Sequence, residues 1–202
     1  MKKVLSLIFI LTFLLVGCNN PTVENSEIEN STVESSDKSD KDLLDVIDNK
    51  IPFVDANNKE IFLKDYKISE YDNYDFSPFE YASVDFDGDK TNELIISETQ
   101  QNFYLILQYN EAENKIYGYS VGERSLIDLK TDGTFMQSSG AGINSISKLN
   151  FENGEIVFTE LALKNDFDKE YKINKDDAQP EDVNSFFDEW NAVPKVSWIS
   201  IK

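Results

Sequence analysis

From Phe79 onward the chain is a nearly unbroken series of short segments in which apolar and polar residues alternate, each closed by a turn signal. The segments are Phe79–Val84, Glu93–Ser97, Phe103–Tyr109, Lys115–Val121, Ser125–Leu129, Thr134–Gln137, Ile143–Phe151, Glu155–Leu163 and Glu170–Ile173. Alternation at period two places apolar side chains on one face of an extended chain, the mark of a half-buried strand. Between the segments lie Asn110–Asn114, Asp132-Gly133 and Asn153-Gly154. The last two are dipeptides that supply the positive φ of tight hairpins. Parallel neighbours need long crossovers, so connections this short favour antiparallel pairing. The expected fold is mainly β, with α+β character only at its margins. It is an antiparallel curved meander or a propeller-blade-like sheet.

A helix is expected near each end. Asp42–Asn49 carries Leu43, Leu44, Val46 and Ile47, a short helix ended near Pro52, and Ile61-Phe62-Leu63 follows as a brief strand. Pro180-Glu181-Asp182 opens a second helix that runs to Trp190. Its Val183, Phe186, Phe187 and Trp190 recur at offsets of 3, 4 and 7, one apolar face. Val196, Trp198 and Ile199 read as a final extended piece. Residues 41–202 are enough for one β-rich domain with a real core. Residues 19–40 are different: rich in Ser, Asn, Glu and Thr, without an aromatic, and unable to bury enough apolar surface to order. They read as an acidic disordered tether that reaches about 25 Å as a flexible coil.

Ahead of the tether, Lys2 and Lys3 precede an apolar run from Val4 to Val16 interrupted only by Ser6 and Thr12. A membrane span needs about 20 apolar residues, so this shorter run has the build of a signal-peptide core. It ends in Leu15-Val16-Gly17-Cys18, with the sole cysteine of the chain. The tetrapeptide resembles the lipobox of bacterial lipoproteins; an ordinary secretory signal with a chance cysteine is the alternative. The resemblance implies that residues 1–17 are a signal peptide and that the thiol of Cys18 takes a diacylglyceryl group. Cleavage before Cys18 would then make it the first mature residue. One acyl chain holds a protein to a bilayer only marginally, at about 0.8 kcal/mol per methylene, and two chains make the anchor stable. The expected location is the outward face of a cell membrane, with contact through the lipid alone.

Charge and missing residue types limit the chemistry. The chain has 19 basic and 38 acidic residues, and loss of Lys2 and Lys3 leaves a mature charge of −21. Such a surface repels nucleic acid, which is excluded as a partner, and also repels anionic headgroups. Metal ions, basic peptides and amine-bearing polymers remain. There is no histidine, which removes Ser-His-Asp and Cys-His catalysis and the usual zinc ligand sets. An enzyme would have to work through carboxylates, as glycosidases do with a pair about 5–9.5 Å apart.

One segment has a specific chemical reading: Val84-Asp85-Phe86-Asp87-Gly88-Asp89-Lys90-Thr91-Asn92-Glu93-Leu94. Asp85, Asp87 and Asp89 stand at spacing two. Hard cations such as calcium take 6–8 oxygens, and acids at positions 1, 3 and 5 of a tight loop can converge on one point. Thr91 would add its backbone carbonyl and Glu93 would close the shell, so the expected cofactor is Ca²⁺. A solvated acidic hairpin is the plain alternative. The stretch resembles the calcium hairpin of FG-GAP and VCBS-type repeats, related to integrin propeller loops, with the pattern D-x-D-G-D-G-x-x-[DE]-L. Asp85, Asp87, Gly88, Asp89, Glu93 and Leu94 match, and Lys90 replaces the second glycine. The resemblance covers some eleven residues in a single copy and implies a calcium-binding strand-loop-strand, not a whole propeller. Asp166-Phe167-Asp168 is a partial echo that reads as a turn.

Two other groupings could form a recognition surface. Tyr66, Tyr71, Tyr74, Phe76, Phe79 and Tyr81 crowd one stretch among acids. Exposed, they could stack on sugars or clasp a cation; buried, they would cover a sheet. Ser138–Ser145 contains Gly140 and Gly142 but lacks the following helix of a phosphate loop, so it reads as a wide turn or bulge. Tyr71, Tyr74, Ser139 and Asn144 are the candidate recognition residues. The leading functional reading is a non-enzymatic, surface-anchored lipoprotein whose calcium-stapled β-domain binds an envelope or extracellular macromolecule. The alternatives are a carboxylate-based glycan hydrolase and a protective lipoprotein that binds a cationic toxin.

Overall fold

The computed structural model describes residues 31–69, 74–98 and 103–202, of which Ser31–Lys202 belong to one unit. The signal peptide, Cys18, the first part of the tether and Tyr71 lie outside the described residues. The elements are α1 (Ser31–Ile47), β1 (Phe53–Val54), β2 (Glu60–Ile61), β3 (Lys67–Ser69), β4 (Tyr74–Asp75), β5 (Pro78–Val84), β6 (Glu93–Glu98), β7 (Phe103–Asn110) and β8 (Lys115–Gly122). They continue with β9 (Phe135–Gly140), β10 (Ile143–Glu152), β11 (Glu155–Asn165), β12 (Glu170–Ile173), β13 (Asp176–Asp177), α2 (Pro180–Ala192) and β14 (Ile199–Ser200). The fold is mainly β, in two principal sheets that do not close into a barrel.

Seven strands form one sheet in the order β14-β5-β6-β7-β8-β1-β2, five form the second in the order β13-β12-β11-β10-β9, and β3 pairs with β4 alone. Each principal sheet contains an antiparallel meander, as the short connections require. The single exception is β1, which lies parallel to β8 through Val54↔Tyr117. This pair is reached by the long excursion through β2–β7, the kind of connection a parallel contact needs. The Asn153-Gly154 hairpin is as expected: both residues have positive φ, and Glu152 faces Glu155.

The seven-stranded sheet is buried on both faces at its centre. Every residue of β6 is buried. Leu94 and Ile96 join Leu105, Leu107, Phe53, Leu63 and the α1 residues Leu43 and Val46. On the other face Ile95 and Ile106 meet Phe135 and Leu149 of the second sheet, with Val84, Phe86, Leu126 and Leu129 between. Helix α2 packs on β11 and β12, and Trp190 enters a cluster with Ile146 and Ala162.

Three local expectations change. Helix α1 starts at Ser31, so residues 31–40, read as tether, are helical. Burial of Leu43 and Val46 fixes the last turns, and extending an existing helix is far easier than nucleating one. The end of α1 is set by Asn49 at φ +56 rather than by Pro52. Asn49 N–H donates to Val46 and Lys50 N–H to Asp45 (both 2.9 Å), a Schellman stop. Of Ile61-Phe62-Leu63 only Ile61 is strand, because Leu63 begins a 3-10 turn. Ser125–Leu129 is not a strand either: Asp128 has φ +54, Leu126 and Leu129 reach the core at spacing three, and only an Ile127↔Met136 bridge remains.

Gly118 on β8 has a packing role. A Cβ there would sit 2.4 and 2.5 Å from two ring carbons of Phe53, itself 1 % exposed. Gly118→Val should therefore lower stability by about 1–3 kcal/mol, the usual cost of overpacking, as read by urea denaturation.

Candidate metal centre

The acidic loop is the β5–β6 connection. The ladder holds as far as Val84↔Glu93, leaving residues 85–92 to make the turn. Phe86 points inward, 2 % exposed, with its ring edge-to-face with Phe135 at 6.1 Å. Anchoring this residue in the core leaves its neighbours Asp85 and Asp87 at the surface. One carboxylate oxygen from each of Asp85, Asp87 and Asp89 lies within 4.8 Å of the others.

The loop's own amides hold the acids in place. Gly88 N–H donates to Asp85 Oδ1 at 2.7 Å and Lys90 N–H to Asp85 Oδ2 at 3.1 Å. Asp89 N–H donates to Asp87 Oδ1 at 3.1 Å, and Thr91 N–H to Asp89 Oδ1 at 2.6 Å. Gly88 and Lys90 have φ of +82° and +76°. Lys90 thus takes the left-handed conformation that the glycine of the resembled pattern would take without strain.

Glu93, at the start of β6, is 2 % exposed, and its Oε2 accepts the Phe86 N–H at 3.0 Å. Burial, and then repulsion from Asp87, Asp89 and Asp85, push its carboxyl up to about 8, although the Phe86 N–H pulls the other way. Burial also raises Asp87, with repulsion from Asp89 and Asp85 added. The three aspartates therefore converge, whereas Glu93, expected to close the shell, is not part of that converging group. Thr91 is half-buried next to the cluster.

Gly133 supports the loop from outside and was not legible as part of it. Its φ is +75°, and a Cβ there would lie 2.6 Å from the Asp85 carbonyl oxygen and 3.1 Å from Phe86 Cα. The Asp-Gly signal announces a turn; only the tertiary structure places that turn against the loop backbone.

The other candidate residues fall on several elements among those described. Tyr66 and Phe76 are buried and stack edge-to-face at 5.7 Å, and Tyr81 packs against the same core, so the packing reading holds for these three. Phe79 remains 45 % exposed. Tyr74 belongs to the separate β3–β4 pair. Ser139 is exposed where the register of β9 and β10 shifts, and half-buried Asn144 pairs with Ser138. Asp166–Asp168 is a turn organised by Asn165, whose Oδ1 accepts the N–H groups of Phe167 and Asp168. Comparison with protein-family models, curated proteins and solved structures found no match.

Replacing Lys90 with Gly removes a left-handed side chain and a cation close to the acids. Calcium affinity should rise by about threefold or more, consistent with the modest worth of an exposed charge plus relief of strain, read by isothermal calorimetry.

Proposed function

We propose that this chain is a lipid-anchored protein of the bacterial envelope whose β-domain binds Ca²⁺ at the β5–β6 loop and acts as a binding module rather than an enzyme. The observation that carries the metal reading is the convergence of Asp85, Asp87 and Asp89 within 4.8 Å of one another. Crowded acids repel one another, and a divalent cation would remove that repulsion. Three side-chain carboxylates match the hard oxygen donors that calcium selects, and the Thr91 carbonyl, Glu93 and waters would complete the shell. The ion would act as a staple between two central strands. The anchor rests on Leu15-Val16-Gly17-Cys18 after its apolar run.

Calorimetric titration of the full-length chain in detergent tests the metal. Heat of binding at millimolar calcium, weaker with magnesium and lost in Asp87→Ala, is the expected result. No heat and no change in melting temperature at about 10 mM calcium, above the range of weak extracellular sites, would reduce the loop to an acidic hairpin. Cys18→Ser tests the anchor separately: lipid labelling and signal cleavage should both stop.

A further inference from the structure

Beside the edge of β8 past Tyr117 runs an open groove of about 880 Å³, lined on one side by Tyr117–Val121 and on the other by the β10–β11 hairpin. None of its lining residues belongs to the acidic loop. Successive side chains of a strand point to opposite faces. Five consecutive residues on one wall therefore mean that the strand's edge, with its main-chain polar groups, borders the groove. Strand β1 covers this edge only at Val54↔Tyr117 and then turns away at Asp55, whose Oδ1 accepts the N–H groups of Asn57 and Lys59. Among the described residues, Tyr119–Gly122 have no backbone partner besides β7. The groove occupies the place that β1 leaves.

Its chemistry has one sign. Among the described residues the lining carries Asp55, Glu113 and Glu155 and no Lys or Arg. The floor is aromatic: Tyr119 and Phe151 meet at 5.5 Å, and Phe158 is 39 % exposed. Carboxylates over aromatic faces suit ammonium and guanidinium groups on apolar stems. The chain's own charge of −19 opposes a second copy as the occupant.

We propose that the β8 edge takes an extended Lys- or Arg-bearing peptide segment of a partner protein, added as a strand in line with β1. Main-chain bonds to β8 would supply affinity, while the rim acids and aromatic floor would select cationic side chains. This names the partner class of the binding module proposed above; it rests on that reading and not on the metal.

The test uses the full-length chain in detergent, with and without chelator, titrated with a peptide of about eight alternating Lys and Val residues, a common strand length. The expected result is binding in both conditions, with slowed amide exchange at Tyr119–Gly122. A Glu-for-Lys twin should bind at least about tenfold more weakly, and so should one of two twins N-methylated at alternate residues, the one whose methyl groups face β8, while the twin methylated in the other register keeps its affinity. Glu113→Gln with Glu155→Gln should weaken the Lys peptide and flatten its salt dependence. Equal binding by both N-methylated twins, full competition by a simple triamine, binding of a glucosamine oligomer in its place, or no binding at millimolar peptide would each overturn the proposal. Binding that persists while calcium heat is absent would refute the metal alone.

Discussion

In chelator at pH 8, Glu93→Gln should melt above the wild type, and calcium should narrow or reverse the order. Glu93 is buried and repelled by Asp87, Asp89 and Asp85, and its Oε2 accepts the Phe86 N–H at 3.0 Å. A Gln oxygen can still accept that bond, so the substitution removes the buried charge without orphaning the donor. The sign for pH follows from the same geometry. The folded value is raised from 4.5 to about 8, so the metal-free fold holds its proton more tightly than the unfolded chain. That contribution to stability is complete below about 4.5 and is lost as pH rises through about 8. Metal-free wild type should therefore lose melting temperature across this window, and Glu93→Gln should lose less. Calcium at 100 times its dissociation constant would add about 2.7 kcal/mol to the wild type. For a chain of this size that is about 5–10 °C. Glu93→Gln should gain less because the charge next to the ion has gone. Scanning calorimetry at pH 5 and pH 8, with calcium and with chelator, reads all of this. A Glu93→Gln protein less stable than wild type in chelator at pH 8 would show that the buried carboxylate is not held at a cost.

The sequence disclosed the meander because local signals decide it. Alternation from Phe79 to Phe151 and the Asn153-Gly154 turn need no distant partner to be read, and strands β5–β8 and β10–β12 fall within a few residues of expectation. What escaped depends on distant contacts. Strand β1 is only Phe53–Val54, and besides its short hairpin with β2 it joins the sheet through distant Tyr117. The helical part of the tether draws on burial of Leu43 and Val46 farther along the chain. At the acidic loop, spacing alone identified the aspartates, yet the depth of Glu93 and the approach of Gly133 are set by the second sheet. Lys90 shows the same limit. As a letter it breaks the glycine pattern, whereas its backbone keeps the glycine conformation at φ +76.

Phe135→Ala should cost about 3–5 kcal/mol, the usual loss for a fully buried aromatic, and should also weaken calcium binding. Phe135 is completely buried between the sheets, edge-to-face with Phe86 at 6.1 Å and with Phe158 at 5.9 Å. Phe86 is the inward residue of the acidic loop, and its N–H holds Glu93. A cavity behind Phe86 therefore loosens the point from which Asp85 and Asp87 are aimed. Leu43→Ala provides the control: Leu43 is 1 % exposed in the core on the other face of the sheet, and its loss should cost about 2–5 kcal/mol while leaving calcium affinity unchanged. Both variants are compared at low temperature, where enough protein remains folded, with denaturant midpoint and calcium affinity measured on the same samples. Equal affinities in the two variants would mean that the loop's own amide bonds suffice to aim the acids. A selective loss in Phe135→Ala would make the inter-sheet core part of the binding site, because the ring that fills the core also carries the loop.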